Sequence, residues 1–402
     1  MQKYKNYFVG IDFSKEKFDA ALTDDSGNVL SQNVFENRKT GFGLFLKWLK
    51  KETCKAKSEH ILVCGEHTGV FSIYLCDFMY SKGFRVALES ALQIKRSSGL
   101  VRGKSDPADA IMIAAYARRH KDILRFYTPM SSELREIEAL YNYREDLIKH
   151  YVRLKNQLSS GSLGNIALIN RSISKDIKDL QQRAKKYVLE INSRLKRSPE
   201  LSKNHAILTS IPGIGVLTSC ALIIATNNFT RFGSARKLMC HAGVAPFHSQ
   251  SGSSIDTPHH VSGFADHKLK GILSEAAQVA IMHNQVIKRY DERLRAKGKH
   301  LGVRVNNVRA KLLTIAMKLI QDQKMFDPNY EENKRNQARE SRGHAKPQPT
   351  AASAQNYENT LGVSPAAGAD SPVERLHARH YSLLEKYPKF NIFSEKIPCV
   401  ET

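Results

Sequence analysis

The sequence predicts an α/β domain at the amino end, a long helical hairpin in the middle and a mainly α domain ending near residue 326. Three observations predict it. Residues 6–36 alternate between apolar and polar side chains, the period of half-buried strands. Residues 131–197 carry apolar side chains every three or four positions among many charges, the period of amphipathic helices. The 402 residues are 41% hydrophobic and 25% charged, an ordinary balance for packed domains. No apolar run reaches the ~18 residues that a membrane span requires.

Taken in order, "YFVGIDFS" (7–14) and "KFDAALTD" (17–24) are strands, "DDSGN" (24–28) is a turn and "VLSQNVFEN" (29–37) is a third strand, which together make an antiparallel meander. "GFGLFLKWLKK" (41–51) is a helix and "HILVCGEH" (60–67) a buried strand. "GVFSIYLCDFMYSKG" (69–83) is a second helix with a glycine stop, "FRVALES" (84–90) a fifth strand, and a third helix runs from about Pro107 to Arg119. Three meander strands, helix, strand, helix, strand, helix is the order of a ribonuclease-H-like α/β domain, here residues 1–128.

"SSELREIEALYNYREDLIKHYVRLKNQL" (131–158) and "ISKDIKDLQQRAKKYVLEINSRL" (173–195), joined through "SSGSLGN", predict a helical hairpin or coiled coil over 129–200. It suits packing against a partner chain, or serves as a solvated spacer. Residues 201–326 read as compact and mainly helical. Residues 327–402 are poor in bulky apolar side chains and rich in Ala, Ser, Pro and Asn, which predicts disorder, with "VERLHARHYSLLEKY" as a short terminal helix.

Charge is the strongest bulk signal. Lysines and arginines number 62 against 39 acids, a net +23. Residues 327–402 hold ten of each sign, so the whole excess belongs to residues 1–326. A basic body predicts a polyanionic partner, nucleic acid before others. Cys54, Cys64, Cys76, Cys220, Cys240 and Cys399 form no CxxC pair and read as reduced thiols of a cytoplasmic protein. The amino end lacks the pattern of a signal peptide.

Four carboxylates concentrate in the first domain. Asp12 ends an apolar strand that such a sheet places at its centre, and a buried carboxylate is costly unless paired or bound to metal. Glu66 in "LVCGEHTG" repeats the feature on the strand after the first helix, at the sheet edge where α/β folds bind ligands. Asp106 and Asp109 in "RGKSDPADAI" stand three apart at a helix start, on one face. Capping accounts for aspartates at a helix start. Four acids in this strand order on a basic chain favour instead a site for hard divalent cations acting on phosphodiesters.

"YFVGIDFSKEKFDAAL", "GEHTG", "LQIKRSSGLVRGKSDPADAIMIAAYARR" and "YREDLIKHYVRLKNQL" resemble the DEDD-type insertion-sequence transposases, RuvC-like recombinases guided by a bridge RNA, to which the Piv-type DNA invertases are related. The resemblance runs in order over residues 6–325. It implies that Asp12, Glu66, Asp106 and Asp109 are a catalytic tetrad holding Mg²⁺ or Mn²⁺. In "HAGVAPFHSQSG" it implies that Ser251, before Gly252, is a nucleophile forming a phosphoserine link to DNA. From the residues alone Ser251 is one of several serines in a Ser/Gly cluster, the composition of a loop. A two-part active site follows, with Ser251 of the C-terminal domain brought to the metal of the first.

"LTSIPGIGVLTSCALIIA" (208–225) has the form of a helix-hairpin-helix, whose Gly213 and Gly215 would expose backbone N–H groups to a phosphate backbone, or serve a plain turn between helices. Arg102 and Lys104, just before the aspartate pair, add basic contacts. Family members carry arginines and a lysine-glycine turn where this chain has "DTPHHVSGFADHKLKGILSEAA", so Lys268 and Lys270, with His259 and His260, are the substitutes for phosphate contact. His259, His260 and His267 lack a cysteine pair at ligand spacing and read as hydrogen-bond donors, not zinc ligands. Expected partners are element-end and target DNA, a guide RNA and further copies of the chain as dimer or tetramer, in a prokaryotic cytoplasm and without a membrane. The rivals are a protein-guided invertase, a junction nuclease using water, and a nucleic-acid-binding protein without catalysis.

Overall fold

The structure is a computed structural model. It describes residues 6–97, 106–161, 164, 166–251, 255–330 and 333, with backbone alone at 249–251 and 255–259. The expected tail and its terminal helix lie almost wholly outside the described residues, as do Arg102, Lys104, Gly252 and Cys399. The chain divides into two compact units, with Ser131 closing the first and Ser132 opening the second.

The first unit is built on a mixed sheet of β1 (Tyr7–Phe13), β2 (Lys17–Asp24), β3 (Val29–Glu36), β4 (Ile61–Glu66) and β5 (Arg85–Glu89). Its order is β3-β2-β1-β4-β5, so β1 is central, antiparallel to β2 and parallel to β4, with β5 parallel to β4. This arrangement is compatible with the ribonuclease-H-like fold that the element order predicts. The helices are α1 (Lys39–Glu52), α2 (Val70–Ser81), α3 (Ala91–Ser97) and α4 (Asp106–Arg119). The seven-residue α3 was not anticipated, because "ALQIKRS" is too short to display a helical period.

Alternation along the strands separates two cores. Val9, Ile11 and Phe13 of β1 join Phe18, Phe35, Phe42, Phe45 and Leu49 on one face. There the Phe18 and Phe45 rings meet edge-on at 5.4 Å. Trp48 of α1 stacks on Phe45 at 5.8 Å and donates from Nε1 to the Ser31 hydroxyl at 3.2 Å. Phe8 belongs to the opposite face, with Leu62, Cys64, Ile113, Tyr116 and Ala117. On this second face α4 approaches the sheet backbone to backbone. A Cβ on Gly10 would fall 2.0 Å from the Ala110 carbonyl oxygen and 2.3 Å from the Ala114 nitrogen, so only glycine permits the seat.

The second unit begins with α5 (Ser132–Ser160) and α6 (Ala167–Arg197), the expected antiparallel hairpin. Leu147, Ile148, Tyr151, Leu180 and Ala184 form its apolar seam. Arg183 donates to the Tyr143 hydroxyl at 2.6 Å, and Arg194 pairs with Glu136 across the hairpin. Then follow α7 (Pro199–Thr209), α8 (Val216–Thr226), α9 (Ala235–His241), β6 (Pro246–Ser251), β7 (Ile255–Val261), α10 (His267–His283), α11 (Gln285–Ala296) and α12 (Leu301–Asp322). Asp291 of α11 is buried and receives both arms of Arg304 from α12, at 2.9 and 2.5 Å.

The antiparallel pair β6–β7 takes in Ser249 and Ser251 of the Ser/Gly cluster that suggests a loop, while Gly252, Ser253 and Ser254 lie outside the described residues. Its strand signal was present in Ile255, Thr257 and Val261, β-branched residues at alternate positions, but serine, glutamine and histidine between and before them obscure the period. Among the described residues the cysteines are free, and no helix is long and apolar enough to cross a membrane.

Candidate active site

The carboxylates predicted from sequence come together in the first unit. Asp12 follows Gly10 by two residues on β1 and so shares the sheet face that α4 covers. The β1–β4 register runs Gly10 with Cys64 and Ile11 with Gly65, which puts Glu66 beside Asp12 at the carboxyl ends of two parallel strands. Asp106 and Asp109 occupy the first turn of α4. Gln32 of β3 donates to the Pro107 carbonyl at 3.1 Å, and Arg118 donates to the Asp25 carbonyl at 3.3 Å, so α4 is tied to the sheet near both ends.

The carboxylates influence one another electrostatically. The Asp12 carboxyl is pushed up to about 6, first by burial and then by the charges of Asp109, Glu66, Asp106 and Asp19. Asp19 is a fifth acid that sequence reasoning missed. It lies directly opposite Asp12 in the β1–β2 register, and its side chain is only 7% exposed. An aspartate inside the apolar run "KFDAAL" was the available signal, since burial of such a group demands a partner. Glu89 is another. It pairs with Glu66 in the β4–β5 register, and burial raises its carboxyl against the opposing pull of Arg125 and His120.

Lys17 supplies positive charge. Its Nζ donates to Asp19 Oδ2 and to Asp106 Oδ2, each at 3.1 Å, bridging β2 and the start of α4. The bond to Asp106, then that to Asp19, holds the ammonium above the usual lysine range.

Hard oxygen donors carrying repelling charges are the donor set that a divalent cation neutralises, and the ammonium of Lys17 already stands among them as a cation. Asp12, Glu66, Asp106 and Asp109 therefore fit such an ion chemically. In the present arrangement no three His, Cys, Asp or Glu side chains of the described residues converge closely enough to hold one.

In the second unit Ser251 is the last residue of β6, paired in register with Ile255. Arg236 of α9 donates to the Pro246 carbonyl at 3.0 Å at the base of this hairpin and lies over the Phe247 ring. Gly213 has φ +108, and a Cβ there would fall 2.5 Å from Ala280 of α10. Its glycine is thus required by turn geometry and helix packing, whereas the space around Gly215, the N-cap of α8, is open.

Lys268 and Lys270 stand in the first turn of α10. Lys268 lies within electrostatic reach of Glu138 and Asp146 on α5, so part of its charge is answered inside the unit. His267 Nε2 is 3.1 Å from the Gly263 carbonyl, the donor role expected of it. His260 is exposed, and the side chain of His259 lies outside the described residues.

A DEDD-type IS110 transposase family model matches residues 9–161, and the model of the transposase IS116/IS110/IS902 family matches residues 205–292. The chain is 26% identical over 329 residues to the pilin gene-inverting protein of Moraxella bovis, covering 81% of this chain and 99% of that protein. The pilin gene-inverting protein of Moraxella lacunata matches to the same extent. An uncharacterized 43.6 kDa protein of insertion element IS110 from Streptomyces coelicolor (strain ATCC BAA-471 / A3(2) / M145) is 29% identical over 136 residues, 34% of this chain and 32% of the relative.

Proposed function

This chain belongs to the IS116/IS110/IS902 family of transposases, and from that premise we propose that it recombines DNA by metal-dependent strand cleavage and exchange through a phosphoserine link at Ser251. The observation that carries the reading is the elevated Asp12 carboxyl. Burial raises it most, and four neighbouring acids add to that, three of them the predicted partners Asp109, Glu66 and Asp106.

In this reading Asp12, Glu66, Asp106 and Asp109 hold Mg²⁺ or Mn²⁺. When bound, the ion stabilises negative charge growing on the phosphoryl oxygens. The Ser251 hydroxyl attacks a DNA phosphorus, the serine proton is lost, and the displaced DNA oxygen leaves as a hydroxyl after taking up a proton. One phosphoester bond forms for each that breaks, so a free strand end reverses the step on a new partner. The first unit is ribonuclease-H-like in the RuvC manner, and the α7–α8 turn with Gly215, together with Arg102, Lys104, Lys268 and Lys270, grips phosphates. The α5–α6 hairpin pairs copies of the chain into a dimer or tetramer. A guide RNA supplies sequence specificity through base pairing.

The test is incubation of the full chain, its co-purified RNA and element-end DNA with Mg²⁺, followed by mapping of any peptide–DNA adduct. The expected result is an adduct at Ser251, absent from Ser251→Ala and from Asp12→Ala. Cleavage that persists in Ser251→Ala without an adduct overturns the phosphoserine step in favour of a water-using nuclease.

The match to pilin gene-inverting proteins along 81% of the chain favours DNA inversion as a second reading, and the alternative to RNA guidance is that the protein itself directs it. Ribonuclease treatment separates the two, because it abolishes RNA-guided exchange and spares protein-directed inversion.

A further inference from the structure

We propose that Lys17 is a tethered cation that holds the carboxylate site open by occupying Asp106, and that an incoming divalent ion must displace it from Asp106 while leaving it on Asp19. The inference rests on the metal-binding reading of this site.

Lys17 is the first residue of β2, and its backbone is fastened. Its carbonyl accepts from the Ser14 nitrogen at 2.9 Å and from the Ser14 hydroxyl at 2.7 Å. The root of the side chain is therefore fixed to the β1–β2 turn, next to the strand end that bears Asp12. From there the ammonium reaches two acids with unequal surroundings. Asp19 is 7% exposed and Asp106 is 52% exposed, both at 3.1 Å from Nζ.

That inequality gives the device its direction. An ion pair open to water contributes little, whereas removing the partner of a buried carboxylate is costly. The Asp106 arm is thus the one a divalent ion can break, and the Asp19 arm is the one that persists. Asp106 stands in the first turn of α4, where a side-chain rotation moves its oxygens without shifting the helix that Gly10 seats. Lys17 also supplies, between β2 and α4, the positive charge that the repelling acids lack while no ion is present.

The experiment measures Mn²⁺ affinity of the full-length chain by electron paramagnetic resonance, for wild type, Lys17→Met and Lys17→Arg. Removing the competing ammonium should tighten binding about two- to fivefold, and Lys17→Arg should stay near wild type. Unchanged or weaker binding by Lys17→Met, with wild type binding normally, overturns the proposal and leaves the metal reading intact. Absence of Mn²⁺ binding by wild type overturns both. A second measurement needs no variant: acetylation of Lys17 in the wild-type chain, followed by mass spectrometry, should rise on addition of Mg²⁺. Labelling that is independent of Mg²⁺ overturns the displacement.

Discussion

Asp19 lies directly across the β1–β2 ladder from Asp12, so two carboxylates share one rung of the sheet on the face beneath α4. Directly opposed like charges destabilise an antiparallel pair. The protein tolerates the arrangement because Lys17 bonds to Asp19 and Asp12 retains its proton to an unusually high pH.

The sign of the resulting pH dependence follows. Asp12 titrates near 6 in the folded chain and at 3.8 when unfolded, so between those values the folded state holds a proton that the unfolded state has lost. Its contribution to metal-free stability falls as pH rises through that window. Asp12→Asn should remove this fall and be more stable than wild type at pH 7.5 without metal. Urea unfolding of both chains at pH 4 and 7.5 checks it.

The seat of α4 admits no side chain at position 10. Gly10→Ala would drive a Cβ into the Ala110 carbonyl, a backbone atom that cannot rotate away. The expected cost is about 3 kcal/mol, the upper part of the range for overpacking. Loss of Mn²⁺ affinity should accompany it, because Asp106 and Asp109 ride on the displaced helix. Thermal unfolding and metal titration of the same sample test both halves.

In the second unit His205 is buried between the Ser219 hydroxyl, 2.8 Å from Nδ1, and the Asn192 side-chain oxygen, 3.1 Å from Nε2. Burial, then the charge of Lys196, lowers its proton affinity. Its contribution is therefore present above 6.5 and is lost as the pH falls below that value, the reverse of Asp12. His205→Gln should show a shallower loss of helical circular dichroism in urea between pH 6.5 and 5.

The Asp291–Arg304 pair joins α11 to α12 with both partners largely removed from water. Asp291→Ala leaves a guanidinium without its acceptor and should cost about 3 kcal/mol, while Asp291→Leu combined with Arg304→Met should recover much of that loss. Chemical unfolding of wild type and the two variants decides it.

Much of the first unit was legible because its signals are local. The β1–β3 meander shows in the two-residue alternation of "YFVGIDF" and "KFDAALTD", and Asp12 and Glu66 stand out as acids closing apolar runs. Asp19 and Glu89 did not stand out. Their importance depends on register across strands, Asp19 with Asp12 and Glu89 with Glu66, which no single segment contains. Lys17 likewise looks like a solvated strand-end lysine until α4, 89 residues later, brings Asp106 to it. The β6–β7 hairpin was missed because its polar residues mask the alternation that strand recognition relies on.

The chain contains a single tryptophan, Trp48, lodged between Phe45 and Ser31 in the first unit. Intrinsic indole emission therefore arises wholly from the first unit, from the face of the sheet that α1 covers. Paired with circular dichroism, to which the helices of the second unit contribute most among the described residues, it allows the melting of the first unit to be set against that of the whole in one unlabelled sample.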